Sequence, residues 1–177
     1  MKGHGLTASQ AWPALLAAHK GWSLDNLACD GAGFLSVGDD TDCADTFSVL
    51  VAKTIKLAPR TVIVEGSSND FGEDNTALYQ VTVSEVEELH RVLPHARIIG
   101  LSTVWNETAV PAQLASVNQQ VARAVKDVGG TYLNIGQPLA RHPEWMQNDD
   151  VHPTAAGQIA ILKAVEDALA DAKITVN

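Results

Sequence analysis

Apolar and polar residues alternate along this chain at two different spacings. In "SQAWPALLAAH" (9–19) the apolar residues Trp12, Leu15 and Leu16 recur at helical intervals, with His19 late and Gly21 as a stop. "WSLDNLAC" (22–29) alternates as a strand does. "DTFSVLVAKTIKLA" (45–58) returns to helical spacing and ends at Pro59. "TVIVEG" (61–66) is a continuous apolar run closed by a turn signal, the mark of a strand buried on both faces. "SEVEELHRVL" (84–93) predicts a helix that stops before Pro94, and "ARIIGLS" (96–102) a second buried strand. "PAQLASVNQQVARAVKDV" (111–128) is a long amphipathic helix opened by Pro111 and followed by Gly129 and Gly130. "TYLNIG" (131–136) is a strand, and "TAAGQIAILKAVEDALADA" (154–172) the final helix. Strands separated by helices predict parallel βαβ units, hence an α/β protein with a three-layer α/β/α sandwich. With no repeat, linker or low-complexity stretch, residues 1–177 read as one domain.

Composition changes this picture little. Hydrophobic residues make up 46% and charged residues 19%, which suits a packed core and argues against disorder. The formal net charge of -9, with no basic cluster, disfavours nucleic acid or an anionic membrane surface as partner. No apolar run is long enough to span a bilayer, and no signal peptide is visible. Cys29 and Cys43 admit two readings, a disulfide in an oxidising compartment or two buried thiols, so the compartment stays open between secreted and cytoplasmic. No metal site has a supporting ligand cluster, and no cofactor is expected. A nucleotide binder is disfavoured, because no GxGxxG follows the first visible strand and no P-loop occurs.

Folds of this kind place their chemistry at the carboxyl ends of the strands. There the sequence offers Asp30-Gly31-Ala32-Gly33-Phe34, then Ser67-Ser68-Asn69-Asp70, then Thr103-Val104-Trp105-Asn106, and last Asp149-Asp150-Val151-His152-Pro153 ahead of the final helix. Taken singly, these are ordinary turn and cap residues. Together they suggest a reaction. Asp149 lies three residues before His152, close enough to orient an imidazole as a general base. The Gly31 N–H and the Asn69 side chain are donors suited to a developing oxyanion.

In this order the blocks resemble the SGNH hydrolase superfamily, the GDSL-type esterases and lipases. "NLACDGAGF" is similar to the family's second block, whose glycine, here Gly31, donates to the oxyanion hole. "VIVEGSSND" is similar to the GxND block, whose asparagine, here Asn69, is the other donor. "DDVHP" is similar to DxxHP, which supplies acid and base, here Asp149 and His152. The resemblance spans the chain and implies a flavodoxin-like parallel sheet, a small-molecule acyl ester as substrate and Ser-His-Asp chemistry. Asp30 stands where a serine is common, and its carboxylate is placed to weaken the neighbouring oxyanion donor; Ser67 replaces a frequent second glycine. Trp105 and Trp145 are the candidates to line an acyl or sugar pocket, set against ordinary packing.

The family's first block carries the nucleophile in GDSxTxGxGL, on the first and central strand. No Gly-Asp-Ser occurs among the 177 residues, and "KGHGLT" (2–7) matches only the tail of that block. Three expectations follow. The start lies at an internal methionine, downstream of a natural first strand and serine. Alternatively the chain is short by nature, a pseudo-hydrolase that binds an ester or carbohydrate without turnover. Or another hydroxyl substitutes, Ser67 or Ser68 first, ahead of Thr7 and Ser9. A sheet lacking its central strand is expected to lose stability, to close the gap, or to self-associate through unpaired edges.

Overall fold

The computed structural model describes residues 2–174. Among them are five α-helices and three strands: α1 (Trp12–Lys20), α2 (Phe47–Leu57), β1 (Thr61–Glu65), α3 (Asn75–Val92), β2 (Arg97–Leu101), α4 (Ala112–Asp127), β3 (Thr131–Leu133) and α5 (Ala155–Asp171). The strands form one parallel sheet in the order β1-β2-β3, with Ile63 opposite Ile99 and Leu101 opposite Leu133. The protein is thus α/β with a parallel sheet and helices, as the alternating periodicities predict. Contacts group the chain into two compact units. One comprises residues 1–28, 104–110 and 135–177, the other residues 29–103 and 111–134. No described helix is long and apolar enough to cross a membrane.

The second unit holds the sheet. Val62 and Ile98 form a core with Leu78, Val86 and Leu89 of α3 and Val117, Val121 and Val125 of α4. Beyond exposed Arg97, every residue of β2 is buried, which explains its unbroken apolar run. Asp74 caps α3 by accepting from Thr76 N and Ala77 N at 3.0 and 2.9 Å. Helix α3 therefore starts well before the predicted Ser84. Its buried stripe passes through Thr82, a polar residue that hides the periodicity.

The clearest departure is 22–29, predicted as a strand. It joins no ladder and pairs with nothing in the sheet among the described residues. Asn26 Oδ1 accepts from Ala28 N at 3.1 Å, so a side chain takes a donor that a ladder would use, and Leu24 is exposed. The three strands are contiguous, so the expected gap between inner edges does not arise; β1 and β3 are the sheet's edges.

Two features fasten the loop ahead of α2. Cys29 and Cys43 form a disulfide, which decides between the two readings of the cysteines. Closing a loop of this length removes about 3 kcal/mol of unfolded-chain freedom in the chain-entropy account. Asp70, fully buried, accepts from Phe34 N at 2.8 Å, Leu35 N at 3.0 Å and Ser36 N at 3.1 Å.

In the first unit, α1 packs against α5. Trp12, Leu16 and Ala17 are buried from α1, and Ile161, Leu162, Val165 and Leu169 from α5. The buried side chain of Gln158 accepts the Trp12 N–H at 3.0 Å, satisfying a donor of the first helical turn.

Candidate active site

Residues singled out by sequence fall in both units. Gly31, Ser67, Ser68 and Asn69 lie in the unit with the sheet; Trp105, Trp145, Asp149 and His152 lie in the other.

The 142–154 segment of the first unit is a tight hairpin. Met146 and Pro153 form an antiparallel bridge, Gln147 N donates to His152 O at 2.8 Å, and Thr154 N donates to Trp145 O at 2.7 Å. Within it, Asp149 Oδ1 accepts from Val151 N and His152 N at 3.0 and 2.9 Å, and Oδ2 lies 2.9 Å from His152 Nδ1. These bonds hold the Asp149 carboxyl far below the usual carboxylate range, the His152 backbone N–H contributing most, then the His152 ring, then the Val151 N–H. A carboxylate only accepts, so Nδ1 carries a proton, and Nε2 is the ring nitrogen left to act as a base. The His152 side chain is partly exposed.

The depressed pKa has a consequence for stability. A group ionised more readily in the folded state stabilises it above its unfolded pKa, near 3.9, and that contribution fades as pH falls through the folded value. The urea-midpoint difference between wild type and Asp149→Asn is therefore expected to be largest near neutrality. It should shrink as pH drops below about 4, and titrating both proteins across that range checks it.

A residue that the sequence reading left without a role enters here. The His4 ring stacks on that of His152, centroids 4.0 Å apart and planes 19° apart. Gln147 Nε2 donates to His4 O at 2.7 Å and to Pro153 O at 3.0 Å, tying the N-terminal loop to the hairpin. Gly5, at φ +70°, lets the loop pass: a Cβ there would lie 2.6 Å from Gln147 Oε1. Only the His within "GHG" hinted at this contact, and no local spacing connects it to 149–152.

In the other unit, Ala32 N donates to Cys29 O at 3.2 Å, closing a turn with Gly31 in the left-handed region at φ +76°. No acceptor is bonded to the Gly31 N–H among the described residues. The Ala32 carbonyl takes bonds from Ser67 Oγ at 2.8 Å and Asn69 Nδ2 at 3.0 Å, which fastens the Gly31 turn to the turn after β1. One Asn69 amide hydrogen is thus used, and the other is available on an exposed side chain. Ser67 is buried, its hydroxyl also accepting from Asn69 N, while Ser68 is half-buried. Asp30 O accepts from Asp39 N, and Asp30 N donates to Asp42 Oδ2 at 2.9 Å.

The two tryptophans have different surroundings. Trp145 stacks on His142 at 3.7 Å and lines a shallow apolar groove with Pro138, Ile159 and Ala160. Trp105 donates from Nε1 to Thr108 Oγ1 at 3.1 Å and is no part of that groove.

The profile of a GDSL-like lipase/acylhydrolase family matches residues 2–160. No curated protein sequence matches the chain closely enough to add a relative. Among solved structures, the psychrotrophic esterase EstA from Pseudoalteromonas sp. is similar at TM-score 0.75 and 16% identity, over 97% of this chain and 92% of its own. TesA is similar at TM-score 0.73 and 20% identity, over 95% and 92%. A family two carbohydrate esterase from Cellvibrio japonicus is similar at TM-score 0.72 and 14% identity, over 93% of this chain and 52% of its own. At these identities the structures establish a shared fold.

Proposed function

The chain belongs to the GDSL-like lipase/acylhydrolase family, and on that premise we propose that it is a serine esterase acting on acetyl or short-chain acyl esters. One observation carries this reading above the others. An ionised Asp149 bonds the His152 ring at 2.9 Å and the His152 backbone at 2.9 Å, so the imidazole is held in the tautomer a general base requires. His152 Nε2 takes the proton of the serine hydroxyl as its oxygen bonds to the acyl carbon. The same proton then goes to the departing alcohol, and water repeats the cycle on the acyl-serine. Gly31 N–H and Asn69 Nδ2–H are the donors assigned to the oxyanion, a role carried over from the family's blocks. No Gly-Asp-Ser occurs in the 177 residues; whichever residue supplies the hydroxyl, His152 is the group that accepts its proton. Neighbours named as esterases support an ester substrate.

Asn69→Ala is expected to lower kcat on p-nitrophenyl acetate by about 10²–10³, with KM little changed, as loss of one oxyanion donor does. An unchanged kcat would remove Asn69 from this role. A second reading is a pseudo-hydrolase that holds an ester or carbohydrate without turnover. It predicts that an acetylated sugar binds and is recovered intact.

A further inference from the structure

His4, in the N-terminal loop, and His152 and Asp149, in the 142–154 hairpin, bring two imidazoles and a carboxylate close together. Their nitrogen and carboxylate ligand atoms all lie within 4.8 Å of one another. We propose that His4, Asp149 and His152 form a binding site for a divalent transition metal of the zinc type, and that the bound ion takes the base out of the hydrolytic reaction. The inhibitory half rests on the esterase reading above; the binding half does not.

The donor set selects the class of ion. Two imidazole nitrogens and one carboxylate oxygen suit zinc, copper or nickel, whereas magnesium and calcium require oxygen ligands throughout. Ligand atoms around tetrahedral zinc lie about 3.3 Å apart, given metal–ligand bonds near 2.0–2.1 Å. The present spacing thus needs a contraction, and because imidazole lone pairs lie in the ring plane the near-parallel His4 and His152 rings must turn out of their stack to share an ion. His4 and Asp149 are both exposed, and exposed side chains supply that movement through their own torsions. The Gln147 bridge to His4 O and Pro153 O already holds the two backbones side by side, so little chain freedom is lost on binding. The Asp149 carboxylate also offsets part of the ion's charge.

Competition with catalysis follows from the lone pairs. An ion on Nε2 occupies the pair that would accept the serine proton. An ion on Nδ1 displaces the proton shared with Asp149 and ends the orienting bond. Either route leaves His152 unable to act as base.

Of the other clusters, Cys29, Asp42 and Cys43 also converge, but the two sulfurs are joined to each other and offer no thiolate.

The test is competition for Zn²⁺ between the protein and a chromophoric zinc indicator. Wild type is expected to take up one equivalent. His4→Phe, which keeps a ring over His152 but has no ligand atom, should weaken binding by at least about tenfold, and His152→Ala likewise. His19→Ala, at an exposed histidine paired with Glu166, should bind as wild type does. Absence of uptake by wild type up to about 1 mM Zn²⁺, or wild-type affinity in His4→Phe, would overturn the site. Should His4→Phe not fold, NMR of wild type decides. Zinc must move the ring signals of two of the six histidines, and movement of all or none refutes the site. Hydrolysis should fall in step with zinc occupancy, and binding without inhibition would refute the competitive role. Hydrolysis is read on the chain joined to a strand ending in Gly-Asp-Ser; if that form shows none without zinc, the esterase reading fails while the indicator still decides the site.

Discussion

Replacement of His152 by alanine is expected to lower kcat on an unactivated acetyl ester by about six orders of magnitude in a hydrolytically competent form, with KM nearly unchanged. The size is that found when one member of a coupled nucleophile–base pair is removed from a serine protease, where the remaining groups no longer act as a unit. The substitution touches the transition state rather than binding, because the imidazole bonds to a reacting proton and not to the resting substrate. Asp149→Asn should be milder, at about four orders. The amide still accepts from Val151 N and His152 N, but it no longer requires Nδ1 to carry the proton, so the ring is free to adopt the wrong tautomer. Steady-state kinetics on both variants, with circular dichroism to confirm folding, check the ordering. His152 is partly exposed, so its loss should leave the fold intact.

The second large effect is on stability. Asp70→Ala removes the acceptor for three backbone donors at once, those of Phe34, Leu35 and Ser36. The Phe34 donor is buried, and a buried donor left without a partner costs about 1–3 kcal/mol. A total loss of about 3 kcal/mol or more is expected, a large part of a typical domain's margin. Asp70→Asn should fall between, since its one carbonyl oxygen replaces two and its NH₂ faces donors. Urea unfolding followed by fluorescence measures both. Asp70 also fixes the segment that follows Gly31, so Asp70→Asn should lose kcat as well as stability. A variant with full stability and full activity would show that the loop is held by its disulfide alone.

Much of the sheet was legible because each strand is a short apolar run ending in a turn, and β2 is buried on both sides as its composition implies. Helices with an unbroken stripe were equally plain, α5 above all. The failures have local causes. In 22–29 the alternation reads as a strand, but no described segment pairs with it, and the Asn26 side chain takes the Ala28 N–H that a ladder would use. The first half of α3 was hidden because Asn75, Thr76 and Thr82 are weak helix formers, and its cap at Asp74 makes sense only once the helix is seen. At the site, DxxHP announces its own geometry, since both partners lie within one turn of chain. His4 does not: its stack on His152 depends on the Gln147 bridge between two loops distant in sequence. Asp70 read as half of an Asn-Asp turn, and its three donors from another loop were equally invisible to periodicity.

The most direct test of the central claim joins the chain at its N-terminus to a strand ending in Gly-Asp-Ser and treats it with a fluorophosphonate. The proposed function predicts one phosphonyl adduct, located by mass spectrometry on that serine, together with hydrolysis of p-nitrophenyl acetate, and loss of both in His152→Ala. A folded fusion that is neither labelled nor active, or one whose labelling is indifferent to His152, would contradict it.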